Sequence, residues 1–150
     1  VVKKNPIEKG SHVIMKAFLW ALYLPDYAES TIEIKIGDRY KPDVVELDEF
    51  GSPRFWGESG KVGRQKIFSV IKRFPHTHFA FAKWDKPIRS FEKDFCAAVE
   101  AVSRTAPVDL LSFPADSVER FIDEKGNIRL SLDDLEYRRL EPVLKNGRGV

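Results

Sequence analysis

The feature that most constrains the fold is a pair of short β-type segments joined by a turn. The first segment, Asp43 to Asp48, and the second, Pro53 to Glu58, contain β-branched, aromatic and alternating polar residues. The intervening Glu49-Phe-Gly-Ser52 has the glycine and serine typical of a tight connection. The sequence therefore predicts an antiparallel hairpin in the middle of the chain.

Other segments alternate between helical and β-type periodicity on both sides of this hairpin. Helices are predicted over Ser11 to Leu24, Val62 to Phe74, about Ser90 to Ser103 and about Leu132 to Leu144. Further strands are predicted over Thr31 to Ile36, Thr77 to Ala82 and Val108 to Phe113. This order predicts an α/β fold, with helices packed on a mixed sheet.

The length and composition favour one compact domain in a reducing compartment. A chain of 150 residues buries roughly 70% of the surface that its unfolded form exposes, so it needs no disulfide or structural metal. Cys96 is the single cysteine and is expected to be a small buried residue of a helix. The most apolar stretch, Val13 to Leu24, contains Lys16 and is too short to span a bilayer. No signal-peptide core follows Val1 to Lys4, so we expect a cytoplasmic protein with no membrane partner.

Positive charge is concentrated in one part of the chain. The whole chain carries a net charge of only +2, but the segment from Lys61 to Lys93 has nine basic residues against Asp85 and Glu92, a local net charge of +7. A solvated helix surface is the alternative to a nucleic-acid interface here. For Trp84, a partly buried position at a strand end is the alternative to stacking on a base. The candidate nucleic-acid-binding residues are Arg64, Lys66, Lys72, Arg73, Lys83, Trp84 and Lys86.

The hairpin brings two carboxylates together. If it is centred between Phe50 and Gly51, Asp43 lies directly opposite Glu58. The Cβ atoms of opposed residues are about 4.5–5.5 Å apart and on the same face. Two like charges at that distance destabilise a sheet unless a cation lies between them, and a divalent cation with oxygen ligands is the usual solution. Lys61 adds a positive group at the same edge.

Each of these residues also has a purely structural interpretation. Asp43 follows Pro42 and is suited to a turn or to the first position of a strand. Glu58 and Lys61 can form a surface ion pair, which contributes about 0–1 kcal/mol. These alternatives stand beside the metal-site hypothesis.

The combined pattern resembles a known group of nucleases. Lys41-Pro-Asp43, followed by Glu58-Ser-Gly-Lys61, a helix and an apolar strand, resembles the PD-(D/E)XK nuclease superfamily and, within it, the YaeQ family. The resemblance implies a restriction-endonuclease-like α-β-β-β-α-β core over about residues 8–84. Residues from about 88 to 145 would then form a C-terminal α/β extension of a single domain spanning residues 1–150.

The resemblance also implies roles for individual residues. Asp43 and Glu58 would hold Mg²⁺ or Mn²⁺, and Lys61 would act as the lysine of the motif. Glu8 would be an additional acid just before the first helix, and Gln65 a polar residue on the helix after the lysine. The implied activity is metal-dependent hydrolysis of phosphodiester bonds.

The motif departs from the superfamily pattern in its spacing. The pattern has one residue between glutamate and lysine, whereas Ser59 and Gly60 intervene here. A bulge, or a strand end at Gly60, is needed to return Lys61 to the face of Glu58. This shift and the small net charge favour the alternative function, a catalytically inactive module that binds nucleic acid or protein. The converging carboxylates beside the basic segment favour the nuclease.

Overall fold

The computed structural model describes residues 6–32 and 36–144, with side chains described from residue 11 onward. In these residues the helices are α1 (Pro6–Tyr23), α2 (Arg64–Arg73), α3 (Glu92–Ala101) and α4 (Ser117–Phe121), with 3₁₀ turns at Ile88–Ser90 and Leu132–Asp134. The strands are β1 (Thr31–Ile32), β2 (Val44–Leu47), β3 (Pro53–Ser59), β4 (His78–Trp84), β5 (Val108–Phe113) and β6 (Glu136–Leu140).

The strands form one mixed sheet in the order of the chain, from β1 to β6. The strands β1, β2 and β3 pair antiparallel, β4 is parallel to both β3 and β5, and β6 is antiparallel to β5. Parallel pairs require a crossover, which α2 provides between β3 and β4 and α3 provides between β4 and β5. The predicted α/β class, with a mixed sheet and flanking helices, is confirmed.

The hairpin has the predicted register along most of its length. Val44 lies opposite Gly57, and the pairing continues to Glu46 before it shifts by one residue next to the turn. The Asp48 carboxylate closes the turn by accepting hydrogen bonds from two backbone N–H groups, at 2.8 and 2.9 Å. One more step of the same register places Asp43 and Glu58 at the end of the hairpin away from the turn.

Apolar side chains cover both faces of the central strands. One face packs against α2 and α3, and its buried residues include Trp56, Ile67, Val70, Phe79, Phe81, Phe95 and Leu110. The other face packs against α1 and α4, and its buried residues include Phe18, Leu19, Tyr23, Phe55, Leu111 and Phe113. Strands buried on both faces need near-continuous apolar sequence, which explains the apolar composition of β4.

Two features of the amino-terminal part differ from the sequence prediction. The first helix begins at Pro6 rather than at Ser11, because proline is well suited to the first position of a helix. Glu8 therefore lies within α1 and not before it. The predicted strand from Thr31 to Ile36 is observed at Thr31–Ile32, and its residues 33–35 lie outside the described part of the chain.

The predicted helix over Leu132 to Leu144 is wrong. Glu136–Leu140 is a strand that pairs with β5, because the backbone at that edge of the sheet needs hydrogen-bond partners. Tyr137 and Arg139 project to one face with the period of two of a strand.

The short helix α4 was not predicted at all. Cys96 lies on α3 as expected, but it is half-buried rather than buried. No helix in the described residues is long and apolar enough to cross a membrane.

A buried carboxylate connects four elements of the fold. Asp109 on β5 is inaccessible to solvent and accepts hydrogen bonds from Tyr23 on α1 at 2.7 Å and from Arg139 on β6 at 2.8 Å. It also lies 2.7 Å from Nε2 of His78 on β4 and accepts a longer bond from Tyr137. Burial alone would raise the pKa of Asp109, but the hydrogen bonds from His78 and Arg139 outweigh it and lower the pKa.

We predict that Asp109→Asn lowers the free energy of unfolding by about 3 kcal/mol, because a neutral amide cannot balance the positive charge of Arg139. The lowered pKa means that this contribution is complete above the unfolded-state pKa, about 3.9, and is lost only as the pH falls through the folded-state value. Urea unfolding of both proteins at pH 7 and at pH 3.5 measures the difference. The exposed Asp133→Asn is the control and should change stability by less than about 0.5 kcal/mol. An equally small effect of Asp109→Asn would contradict the assignment.

Candidate functional site

Glu58 lies near the end of β3 and is only 7% exposed. Its carboxylate accepts a hydrogen bond from Nε1 of Trp56 at 3.0 Å and forms an ion pair with Lys66 on α2. The Lys66 ammonium also lies over the ring of Tyr40, 5.0 Å from its centroid. Burial raises the pKa of Glu58, the charge of Asp43 adds to the rise, and the two hydrogen bonds only partly oppose it. Ionised Glu58 is thus incompletely stabilised by its present partners.

Asp43 lies just before β2 and is held from the side of α1. Its Oδ2 accepts hydrogen bonds from the backbone N–H of Ser59 at 2.8 Å and from the Ser59 hydroxyl at 3.1 Å. Its Oδ1 lies 3.9 Å from both Nε2 of His12 and Nζ of Lys16. Nδ1 of His12 is 3.1 Å from the Ser59 hydroxyl, so these four side chains form one polar cluster.

The pleat of β3 separates the partners of the two carboxylates. Glu58 and Ser59 are consecutive, so their side chains point to opposite faces of the sheet. Glu58 is bonded on the face of α2, whereas Asp43 is bonded to Ser59 and α1 on the other face. The expectation that both carboxylates point to one face of the hairpin is therefore wrong, because the side chains that bond to them come from opposite faces of β3. Among the described residues, no group of three or more His, Cys, Asp or Glu is placed to hold a metal ion.

The backbone adopts a left-handed conformation at one residue directly after this site. β3 ends at Ser59, and Gly60 adopts φ = +88°, a left-handed conformation that strains any residue with a Cβ atom. The Gly60 N–H donates to the carbonyl of Ala82 at 3.0 Å and so continues the pairing to β4. The sequence allows either a β-bulge or a strand end before Lys61, and the structure has the strand end, at Gly60. Lys61 is then exposed beside the end of β4.

Two acidic or polar candidates lie farther from the carboxylates. The backbone of Glu8 is part of α1, but its side chain lies outside the described part of the structure. Gln65 is exposed in the first turn of α2. Its neighbour Lys66, which the sequence indicates only as a nucleic-acid contact, is the residue of this helix that bonds to Glu58.

Two of the basic candidates on α2 form ion pairs with acidic residues of the protein. Arg64 forms an ion pair with Asp94 on α3 at 2.5 Å, and Arg73 forms one with Asp38. Lys72 is exposed near the end of the helix. Two of these three side chains therefore have acidic partners within the protein.

The remaining basic candidates gather at one cavity. Lys83, Trp84 and Lys86 line a cavity of about 1110 Å³ at the carboxyl ends of β3 and β4, together with Lys61. The pKa of Lys83 is lowered by burial and by the charges of Lys86 and Lys61. The structure thus divides the predicted nucleic-acid contacts between α2 and this cavity.

The residues of α1 are the part of the site that sequence reasoning missed. His12 and Lys16 are four residues apart and therefore share one side of the helix. A lysine within an otherwise apolar helical stripe was the available signal, because such a charge needs a partner on the packed face. The partner is Asp43, 27 residues along the chain, and local patterns do not reveal it.

The comparisons with known proteins identify a shared fold. No protein-family model and no curated protein sequence matches the chain. The YaeQ protein of Xanthomonas axonopodis pv. citri matches with a TM-score of 0.57 and 14% identity, over 97% of this chain and 85% of that one. The YaeQ protein of Pseudomonas syringae matches with a TM-score of 0.57 and 12% identity, over 93% of this chain and 80% of that one. The chain therefore shares the fold of the YaeQ proteins.

The raised pKa of Glu58 predicts a pH-dependent effect of Glu58→Gln. Because folding disfavours the ionised form, Glu58 reduces stability as the pH rises from its unfolded-state pKa, about 4.3, through the folded-state value. The variant should melt at the same or a higher temperature than the parent at pH 8, and the difference should vanish as acid protonates Glu58. Melting curves from pH 4 to 8 test this, with the exposed Glu49→Gln as a control that changes nothing. A lower melting temperature of Glu58→Gln at pH 8 would show that ionised Glu58 stabilises the fold.

Proposed function

We propose that this protein is a metal-dependent nuclease of the PD-(D/E)XK type, in which Asp43 and Glu58 hold Mg²⁺ or Mn²⁺. The observation that carries the proposal is the pair of largely buried carboxylates at the neighbouring ends of β2 and β3, where Asp43 adds to the raised pKa of Glu58. The element order from α1 through β1, β2, β3 and α2 to β4 supports it, because the resemblance to these nucleases implies that order.

The residues fit a hard divalent cation in their chemistry. Mg²⁺ is commonly bound by one or two carboxylates together with water and substrate phosphates. A cation near Asp43 and Glu58 would relieve the repulsion between them and the cost of burying Glu58. When bound, the ion would polarise the phosphodiester and make its coordinated water more acidic.

The surrounding cations have roles that follow from their positions. Lys66 fixes the orientation of Glu58, and Lys16 and His12 lie beside Asp43. Lys61 is exposed and follows Ser59 by two residues. Its role in the proposal is to stabilise negative charge on a phosphate. Glu8 and Gln65 remain in the proposal as a further acid and a polar contact.

A second function is favoured by the partners that the carboxylates already have. Lys66 neutralises Glu58, and Lys16 lies near Asp43, so both acids have cationic neighbours without a metal ion. A protein with this arrangement can retain the fold as an inactive module that binds nucleic acid or protein. Metal binding separates the two functions, because such a module has no need of an ion at these carboxylates.

Calorimetric titration with MnCl₂ is the test of the proposal. We predict one saturable site in the parent and affinity weaker by about tenfold or more in Asp43→Asn, which removes one ligand charge. Cleavage of labelled oligonucleotides in Mn²⁺ should fall in parallel. The matched control Glu49→Gln removes a charge from the exposed hairpin turn and should alter neither quantity. If no ion binds the parent, the binding-module function takes precedence.

Lys61→Ala separates metal binding from turnover. We predict that Mn²⁺ affinity stays nearly unchanged while the cleavage rate falls about 100-fold, because the positive charge is needed most in the transition state. Single-turnover cleavage at saturating Mn²⁺ measures the rate. An unchanged rate would remove Lys61 from the mechanism and leave Lys66 or Lys16 as the lysine to examine.

A further inference from the structure

The largest feature next to the candidate site is the cavity at the carboxyl ends of β3 and β4. It extends from α1 on one face of the sheet to the 3₁₀ turn Ile88–Ser90 on the other. Its walls include His12, Lys61, Lys83, Trp84, Lys86 and Phe91. Carboxyl ends of parallel strands are the usual location of ligand sites in α/β sheets.

Three of these residues are cations with no acidic partner among the residues that the structure describes. Among the residues that the structure describes, neither Lys61, Lys83 nor Lys86 forms an ion pair with a carboxylate. Lys86 and Lys61 both add to the lowering of the pKa of Lys83, after burial, so the three ammonium groups repel one another. A polyanion along this wall would relieve that repulsion.

Two aromatic side chains lie beside the lysines. Trp84 and Phe91 are partly exposed, and the Lys83 ammonium lies 5.7 Å from the centroid of the Phe91 ring. An aromatic surface next to unpaired lysines is the combination that binds single-stranded nucleic acid, because lysines contact phosphates while bases stack on the rings. The bases of a duplex are stacked on one another, so their faces are not available for such contacts.

We infer that this cavity binds unpaired nucleotides, so that single-stranded DNA or RNA, rather than duplex, is the substrate class. Gly60 joins Ser59, the partner of Asp43, to Lys61 in the cavity wall, and His12 belongs to both places. A strand in the cavity therefore passes beside His12, which lies 3.9 Å from the Asp43 carboxylate. The inference rests on the proposed function for the fate of the strand, but binding itself requires no metal.

Binding in EDTA tests the inference without any cleavage. Fluorescence anisotropy is measured with labelled 20-nucleotide oligothymidylate, oligouridylate and a blunt 20-base-pair DNA duplex at 50 mM salt. We expect at least one single strand to bind about tenfold or more tightly than the duplex, and the two single-strand arms to distinguish DNA from RNA. Equal affinity for duplex and single strand, or no saturable binding in any arm, would overturn the inference.

Variants assign the binding to this cavity. Trp84→Leu should weaken single-strand binding about tenfold, the loss expected for one stacked base. Lys86→Gln should reduce the slope of log affinity against log salt by about 0.7, the value for one phosphate on a single strand. The control Lys125→Gln removes an equally exposed charge far along the chain and should leave the slope unchanged. Equal effects of Lys86→Gln and Lys125→Gln would overturn the assignment.

Tryptophan fluorescence keeps the test valid if Trp84→Leu folds poorly. Of the other two tryptophans, Trp56 is fully buried and Trp20 is bonded to Ser30 and does not line the cavity. Stacking at Trp84 should therefore quench part of the parent's emission, and Trp84→Phe should abolish that change. Quenching that persists in Trp84→Phe would contradict stacking at this position.

The inference and the proposed nuclease can fail separately. Single-strand binding without Mn²⁺-dependent cleavage would sustain the inference and reject the nuclease. Cleavage of duplex with no preference for single strands would sustain the nuclease and reject the inference.

Discussion

Strands β3, β4 and β5 are covered by helices on both faces, so every polar side chain within them must find a partner inside the protein. The partners come from the elements that cover the sheet: α2 for Glu58, and α1 and β6 for Asp109. Polar groups reach solvent only where the strands end. The left-handed turn at Gly60 and the end of β4 at Trp84 therefore determine where Lys61 and the cavity lie.

The two buried carboxylates show opposite outcomes of the same burial. Hydrogen bonds to Asp109 outweigh its desolvation and lower its pKa, so its charge is fully satisfied by the fold. Desolvation outweighs the hydrogen bonds to Glu58, and its pKa is raised. A buried carboxyl whose pKa is raised beside a second acid is a candidate for a functional site, whereas a fully hydrogen-bonded one is typical of structural networks. The function that we propose therefore lies at the carboxyl ends of the parallel strands, whereas the Asp109 network lies near the amino end of β5.

Sequence periodicity predicted the elements that are locally encoded. The position of the turn predicted the hairpin register, and the apolar sequence of β4 predicted a strand in the interior of the sheet. The sequence did not identify β6 as a strand, because the spacing of Leu132, Leu135 and Leu140 is also compatible with a helix. Pairing with β5 decides between helix and strand. The hairpin register predicted that Asp43 and Glu58 lie near the same end of the hairpin. It did not predict that they bond on opposite faces of β3, because their partners on α1 and α2 depend on tertiary packing.

The nuclease that we propose requires Asp43 and Glu58 to hold one divalent ion, although their present partners lie on opposite faces of β3. Anomalous diffraction from a crystal grown with Mn²⁺ locates such an ion directly. If the two acids share one ion, we expect a single strong peak at the ends of β2 and β3, within about 2.0–2.6 Å of an oxygen from each carboxylate. The peak should disappear in Asp43→Asn. A crystal with Mn²⁺ at other positions, and with Glu58 still paired to Lys66, would show that the two carboxylates do not form a metal site.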